Sequence, residues 1–307
     1  MAITAQLVKQ LRDKTGAGMM DCKKALVETN GDIPTAEEYL RKKGLMDAAK
    51  KSSRTTADGL IAISTSKDKK TASIIEFNSE TDFVARNEKF QEVAKMIAEI
   101  ALNDDRDILN SKTPNGASVK EEIDRLISIV GENLTFRRAK KTVVKNGVIS
   151  TYVHGAVVPG MGKIGVLVSM EAEGDFCLIK CEELGKKIAM HIAAANPTYL
   201  CSKCIPQEVI NKEKEIAIAQ AKELGKPENI AEKMAEGRIK KFFEECVLLE
   251  QVFVVDGKTK VCDVIDSFNK ENNFKVKIAE FTKFVLGEGI EKATTNFAEE
   301  VASFIKQ

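Results

Sequence analysis

Histidine is nearly absent from this 307-residue chain, which has only His154 and His191. Acid–base chemistry near neutral pH leans on that side chain, so candidates for it are few. No Ser/His/Asp or Cys/His arrangement can be justified from the spacing. His191 lies in an apolar helical setting that suits a core or boundary residue. His154 precedes Gly155 at a strand start, which suits a surface contact. Long apolar runs are missing too: none approaches the roughly 18 residues of a membrane span. Residues 1–9 pass straight into an amphipathic pattern without a continuous apolar stretch, so no secretory signal and a cytoplasmic location are expected. Charge of one sign is also lacking. Forty-seven basic against 46 acidic residues leave +1. No global field therefore draws the chain to nucleic acid or lipid, and the balance favours a protein partner.

Motifs for bound groups are equally thin. No P-loop pattern occurs, so the chain does not read as a nucleotide hydrolase. Gly160-Met161-Gly162-Lys163-Ile164-Gly165 matches G-x-G-x-x-G. A dinucleotide site would need a helix after it, whereas a strand-like run follows, so it reads as a hairpin turn. The seven cysteines (Cys22, Cys177, Cys181, Cys201, Cys204, Cys246, Cys262) are odd in number and thinly spread. That pattern fits reduced, mostly buried thiols better than a disulfide framework. Cys201-Ser202-Lys203-Cys204 is half of a zinc-ligand spacing with no second half. Cys177 and Cys181 would complete it only if the fold brought them near. No metal, no cofactor and no covalent catalysis are expected, and the chain reads as other than an enzyme.

What is present is an ordinary globular composition, 43% hydrophobic and 30% charged, with length for about two domains. Residues 1–54 read as a small helical unit. One helix carries Leu7, Val8 and Leu11 up to the Gly16-Ala17-Gly18 break. A second carries Met20, Ala25 and Leu26 up to Asn30-Gly31, and a third begins at Ile33 and ends near Gly44. The charged, aperiodic residues 50–56 read as a linker. Residues 59–64 and 71–77 look like two strands, followed by a helix over 87–102 and another over 119–130. A similar strand-strand-helix unit returns over 154–158, 164–170 and 178–194, which suggests an internal repeat. Residues 208–224 and 228–245 form a helical hairpin around Gly225-Lys226-Pro227. Residues 251–255 and 275–285 read as strands. A terminal amphipathic helix from Gly289 carries Ile290, Phe297, Val301 and Phe304.

The most informative stretch is Glu80-Thr81-Asp82-Phe83-Val84-Ala85-Arg86-Asn87. It sets a carboxylate beside a large aromatic between a strand and an amphipathic helix. Neither element's periodicity buries Phe83. It either staples the start of the helix or stands out as a wedge for a partner, where truncating such an anchor costs on the order of 2 kcal/mol or more.

Three segments together resemble the elongation factor Ts family. Residues 7–26, from Leu7-Val8-Lys9-Gln10-Leu11 through Gly16-Ala17-Gly18-Met19-Met20-Asp21-Cys22-Lys23-Lys24-Ala25-Leu26, are similar to its N-terminal domain. Thr81-Asp82-Phe83-Val84-Ala85-Arg86-Asn87 resembles its core motif, and Gly287-Glu288-Gly289-Ile290-Glu291-Lys292 its C-terminal signature. Gly131-Glu132-Asn133 with Arg137-Arg138, and residues 230–238, fit in the expected order. The likeness spans nearly the whole chain.

The resemblance implies an α+β fold. It has an N-terminal three-helix, ubiquitin-associated-like domain (1–54) and a core of two related α+β subdomains (55–145; 146–205 with 246–286). An inserted helical hairpin (206–245) and a C-terminal helical module (287–307) complete it. It also implies a nucleotide exchange factor that binds the GTPase elongation factor Tu, GDP-bound and nucleotide-free. Thr81, Asp82, Phe83 and Val84 match the stretch credited with displacing the GTPase's magnesium ion, Phe83 being the wedge. Lys23, Val130 and His154 match other contact positions, Val130 standing where the family usually has Ile. Residues 160–163 lengthen the family's turn after His154, and the cysteines around Cys201 lie outside its pattern. The hairpin leaves self-association open. The alternative is an adaptor whose three-helix module binds other protein domains.

Overall fold

The computed structural model describes residues 3–225 and 227–291. The terminal helix expected from Gly289 therefore lies almost wholly outside the described residues. The N-terminal module is made of α1 (Ala5–Thr15), α2 (Met19–Glu28) and α3 (Ile33–Lys51). Thr4 caps α1 by accepting from the Leu7 N–H, and Asp32 caps α3 by accepting from the Thr35 N–H. Both caps satisfy helix-end donors that would otherwise stay unpaired. Val8, Leu11, Cys22, Ala25, Leu26 and Ala36 form the small shared core. The third helix does not stop near Gly44. It runs on to Lys51 because Gly44 is buried where α3 crosses α6 (Val119–Val130). A Cβ at Gly44 would lie 2.8 Å from Ser128 Oγ. Docking on α6 outweighs the roughly 1 kcal/mol that a helical glycine costs. The connector is correspondingly shorter than the expected 50–56.

Two similar halves follow. The first runs β1 (Asp58–Thr65), β2 (Thr71–Ser79), the single turn α4 (Asp82–Ala85), α5 (Glu88–Asn103), α6 and β3 (Leu134–Val143). The second runs β4 (Gly147–His154), β5 (Met161–Gly162), β6 (Ile164–Glu173) and α7 (Leu178–Ala195). It continues through the hairpin α8 (Gln207–Glu223) and α9 (Glu228–Cys246) to α10 (Val261–Asn272) and β7 (Lys275–Val285). The sheets have the orders β3-β2-β1-β5 and β4-β6-β7, all pairs antiparallel. The repeat is thus strand-strand-helix-helix-strand, longer than the sequence pattern suggested.

Backbone detail supports the repeat. Gly59 and Gly147 stand at equivalent positions early in β1 and β4, with φ of +123° and +154°. A Cβ there would fall 2.2 Å from the Phe77 carbonyl oxygen and 1.9 Å from that of Met170. Only glycine permits such an approach. The central strand of each half also carries one irregularity toward its third strand, at Glu76/Phe77 and at Ser169/Met170.

The sheets stack face to face with helices outside. Leu60, Ala62, Ile75 and Phe77 point to α5 and α6, while Ile61, Ala72 and Ile74 meet Ile149, Leu167 and Phe284 of the other sheet. Val148, Val166, Val168 and Met170 pack on α7 and α10. This is the two-residue alternation of a strand, with both faces covered.

Two strand readings are corrected. The strand expected at residues 154–158 ends at His154 and begins at Gly147. Gly155 to Gly160 instead loops away so that Met161-Gly162 can pair with Ile61-Ala62, giving the first sheet a fourth strand. Residues 251–255 are a turn with a single bridge, Val252 to Lys260, and not a strand. Beside that turn, β3 and α10 had no counterpart in the sequence reading. None of the described helices is long and apolar enough to cross a membrane.

Two buried polar groups tie these parts together. Glu76, on β2, is fully buried. Its carboxylate accepts from Arg137 (2.9 Å), Arg138 (2.7 Å), Asn78 (3.1 Å) and the Gly287 N–H (2.8 Å). Burial works against the ionised carboxyl, but the Gly287, Arg137, Asn78 and Arg138 donors outweigh it and hold Glu76 below its usual range. His191, on α7, is also fully buried. Its Nδ1 accepts from the Val254 N–H (3.2 Å), so Nε2 carries the proton and donates to Gln251 Oε1 (2.9 Å). Burial pushes the His191 imidazole down, offset only in part by Gln251.

Glu76→Ala should destabilise the chain by about 3 kcal/mol, measured by urea unfolding, because it strands two arginines facing a buried site. His191 gives a pH dependence of known sign. A depressed folded pKa contributes stability that is present above the ordinary 6.5 and lost as pH falls from there through the folded value. The melting temperature should therefore drop between pH 7 and 5.5. His191→Gln should flatten that slope, and an equal slope in the variant would disprove the assignment.

Candidate functional site

The end of β2 leads into a tip held by backbone and side-chain contacts on either side of Asp82 and Phe83. Thr81 is extended, and Asp82 then opens the single turn of α4. The turn closes with Arg86 N–H to the Phe83 carbonyl (3.1 Å) and Asn87 N–H to that of Val84 (2.9 Å). Asn87 caps α5 by accepting from the Lys89 N–H (3.0 Å). Gln91 reaches back from α5 to the Ala85 carbonyl (3.0 Å).

Burial within this turn is sharply divided. Val84 and Ala85 sink into the core beneath Phe77 and Phe90, whose rings stack 4.5 Å apart. With those two facing in, Phe83 must face out. It is 79% exposed, the most of any large apolar residue described. Of the two options open in the sequence, Phe83 does not staple the helix start but is left projecting, while Val84 and Ala85 fill the core at that point. Asp82 beside it is exposed as well.

A clamp of side chains that sequence reasoning missed holds the base of the tip. Glu132, just after the left-handed Gly131 that ends α6, accepts from both Thr81 N–H (3.0 Å) and Thr81 Oγ1 (2.6 Å). Glu80 accepts in return from the Asn133 N–H (2.6 Å) and from Arg54 (3.4 Å). Asn133 Nδ2 donates to the Arg54 carbonyl (2.8 Å). The tip, the α6–β3 turn and the connector are therefore laced together. The signal was present in Gly131-Glu132-Asn133, but nothing local says which loop that carboxylate faces.

Of the remaining candidates, Val130 and His154 connect to the same end of the first sheet, and Lys23 lies apart on the N-terminal module. Val130 is half-buried against the first core, two residues before Glu132. His154 is exposed at the end of β4, its Nδ1 3.3 Å from Tyr152 Oη. The His154 carbonyl accepts from the Lys163 N–H (3.0 Å), and Lys163 pairs with Asp58, which stands opposite Ser79. Lys23 is exposed on α2. The C-terminal end of α1 is tied to α6 by Arg125, which donates to the Thr15 and Lys14 carbonyls (3.1 and 3.3 Å). Met19 and Met20 are 59% and 75% exposed. Among the described residues no cluster of His, Cys, Asp or Glu is arranged to hold a metal ion.

Comparison with known proteins shows the family of the chain. The family model described as Elongation factor TS matches residues 80–288. A protein named Elongation factor Ts from Rhodospirillum centenum is 51% identical over 305 residues, 98% of each chain. One of the same name from Gluconobacter oxydans is 49% identical over 306 residues, covering 98% of this chain and 97% of its own. Another, from Xanthobacter autotrophicus, is 51% identical over 306 residues, 98% of each. The chain belongs to the elongation factor Ts family. As a member of that family it is a translation elongation factor. The family match opens at Glu80 and closes at Glu288, so it takes in the clamp, the tip and the segment that seats on Glu76. The three-helix module lies outside that match but inside the full-length alignments.

If Glu132 holds the tip, Glu132→Ala should speed amide exchange over residues 81–86. Overall stability should fall by only about 1–2 kcal/mol, the value of the lost hydrogen bonds. Unchanged exchange at those amides would show that the turn is rigid without the clamp.

Proposed function

We propose that this chain is the nucleotide exchange factor of elongation factor Tu. In this reading it binds the GDP-bound and nucleotide-free GTPase, displaces the magnesium ion with the Asp82-Phe83 tip, and so promotes GDP release and GTP rebinding. The observation that carries the reading is Phe83: a large aromatic, 79% exposed, on a turn anchored from beneath. An exposed ring unused by its own fold and held on a rigid base is what an interface anchor requires. Thr81 and Val84 serve by fixing that base, Thr81 through Glu132 and Val84 by burial. Asp82 brings an exposed carboxylate beside the wedge. Val130, His154 and Lys23 are further contact positions, and the exposed Met19 and Met20 give the three-helix module an apolar face for the same partner.

The energetics need no covalent step. A factor that binds the empty GTPase more tightly than the GDP complex must weaken GDP binding by the same ratio. Removing magnesium withdraws the ion that offsets phosphate charge. A thousandfold acceleration asks for about 4 kcal/mol, within reach of one anchor and its surrounding contacts. Because the tip is preorganised, little of the contact energy is lost in ordering it.

The test is stopped-flow release of a fluorescent GDP analogue from elongation factor Tu. The wild-type chain should accelerate release strongly. Phe83→Ala, which removes an exposed side chain, should fold normally yet lose on the order of 2 kcal/mol, roughly thirtyfold in rate. No acceleration by wild type would overturn the function, and full acceleration by Phe83→Ala would overturn the wedge.

A further inference from the structure

Cysteines in this chain fall into two groups. Cys22 and Cys181 are buried, Cys246 and Cys262 half-buried, and Cys177 exposed, all five free. Burial raises the thiols of Cys22, Cys246 and Cys262, and takes that of Cys181 to about 11. Cys201 and Cys204 differ: they are joined as a disulfide, Cα atoms 5.3 Å apart. This departs from the expectation of reduced thiols throughout. One tight turn brings them together, with the Cys204 N–H donating to the Cys201 carbonyl at 2.9 Å.

Their position gives the pair a mechanical setting. Residues 198–200, leading into the hairpin, lie beside residues 246–249, which leave it. Thr198 and Tyr199 N–H groups donate to the Cys246 carbonyl (2.9 and 3.0 Å), and the Leu248 N–H donates to that of Tyr199 (2.8 Å). The cysteine turn comes next, followed by buried Ile205 and then α8. It is the last element between the body and the projecting hairpin. A ring of four residues restricts the unfolded chain little, so a general staple is a poor account of it. Cys204 is exposed while Cys201 is half-buried, which leaves one sulfur open to attack.

We infer that Cys201–Cys204 is a reversible thiol–disulfide site at the root of the hairpin, taking dithiol reductants and disulfide oxidants, whose state sets how firmly that root is held. The exchange is balanced. A thiolate of the dithiol attacks Cys204 Sγ, the S–S bond breaks, and Cys201 leaves as a thiolate that takes up a proton. The reductant's second thiolate then attacks the mixed disulfide and releases Cys204. Two electrons pass to the chain, and the reductant becomes a disulfide. A small disulfide such as oxidised glutathione runs the reverse.

The full chain is incubated with dithiothreitol or with oxidised glutathione, then alkylated and mapped by mass spectrometry. Amide exchange over residues 202–210 is followed in parallel. Two added alkylations, at Cys201 and Cys204, should appear on reduction and disappear on oxidation. Exchange over 202–210 should be several-fold faster in the reduced chain. A Cys201→Ser, Cys204→Ser variant should exchange at the reduced rate in both buffers, and wild-type cycling is a readout that needs no variant. The inference is overturned if the pair stays alkylatable in both buffers, or if it cycles while exchange over 202–210 is unchanged.

Discussion

The Glu76 carboxylate is the constraint on which the rest of the architecture depends. It sits on the central strand of the first sheet, where neighbouring side chains are apolar and water is excluded. An ionised group survives there only if its lone pairs are filled. Filling them brings together two consecutive arginines of β3, Asn78 of its own strand, and the backbone of Gly287 beyond the last strand. Arg138 adds a second link by stacking 4.2 Å over Phe284 of β7 and donating to the Val285 carbonyl. A hydrophobe of similar volume could match the stability of such a network. It could not specify that residues 285–288 return to this strand. The network's value is registration, and it reaches the site directly, because Glu76 precedes Thr81 by five residues on one strand and its exit.

Registration at Glu76 would be wasted if the exit were loose. The tip is instead held at three levels: the strand ladder through Ser79, the Glu132 and Glu80 clamps, and the burial of Val84 and Ala85. Each leaves Phe83 fewer ways to turn inward. A large exposed aromatic is costly to keep in a monomer, since it gives up about 25 cal/mol for each Å² left in water. The chain accepts that cost at a point where Val84 and Ala85 already fill the core beneath the turn, which leaves the ring free for the contact proposed above.

Legibility in the sequence tracked how local the cause was. The amphipathic spacing of α5, α7 and the hairpin arms was readable because burial on one face repeats every three to four residues. The strand pair of the first half was readable from its apolar runs. Where long-range contact decided, reading failed. Gly44 reads as a stop, yet α6 carries the helix past it. Strand β3 (Leu134–Val143) has no clean alternation, because Arg137 and Arg138 both reach Glu76 while Lys140 is exposed and Lys141 donates to the Asn103 carbonyl. Met161-Gly162 looks like turn residues and becomes a strand only by reaching the other half's sheet. At the site, Asp82-Phe83 stood out from sequence alone, but Glu132 did not, since its partner is 51 residues away.

The same distinction explains why the second half can carry a large insertion. In the first half, α5 is joined to α6 by residues 104–118. The equivalent connection in the second half holds α8 and α9 before α10 resumes the pattern. Lengthening a loop costs entropy only logarithmically, provided its ends stay together. Here they do, because residues 198–200 and 246–249 pair at the neck and close the insertion off from the body. The hairpin's own stability then rests on its two arms, packed through Ala217, Ala221, Ala231 and Ala235. Events at its neck, including the chemistry of Cys201 and Cys204, are mechanically separate from the Thr81–Glu132 clamp. The fold thus holds a fixed tip on one half and an inserted arm on the other, and the duplication makes that division available.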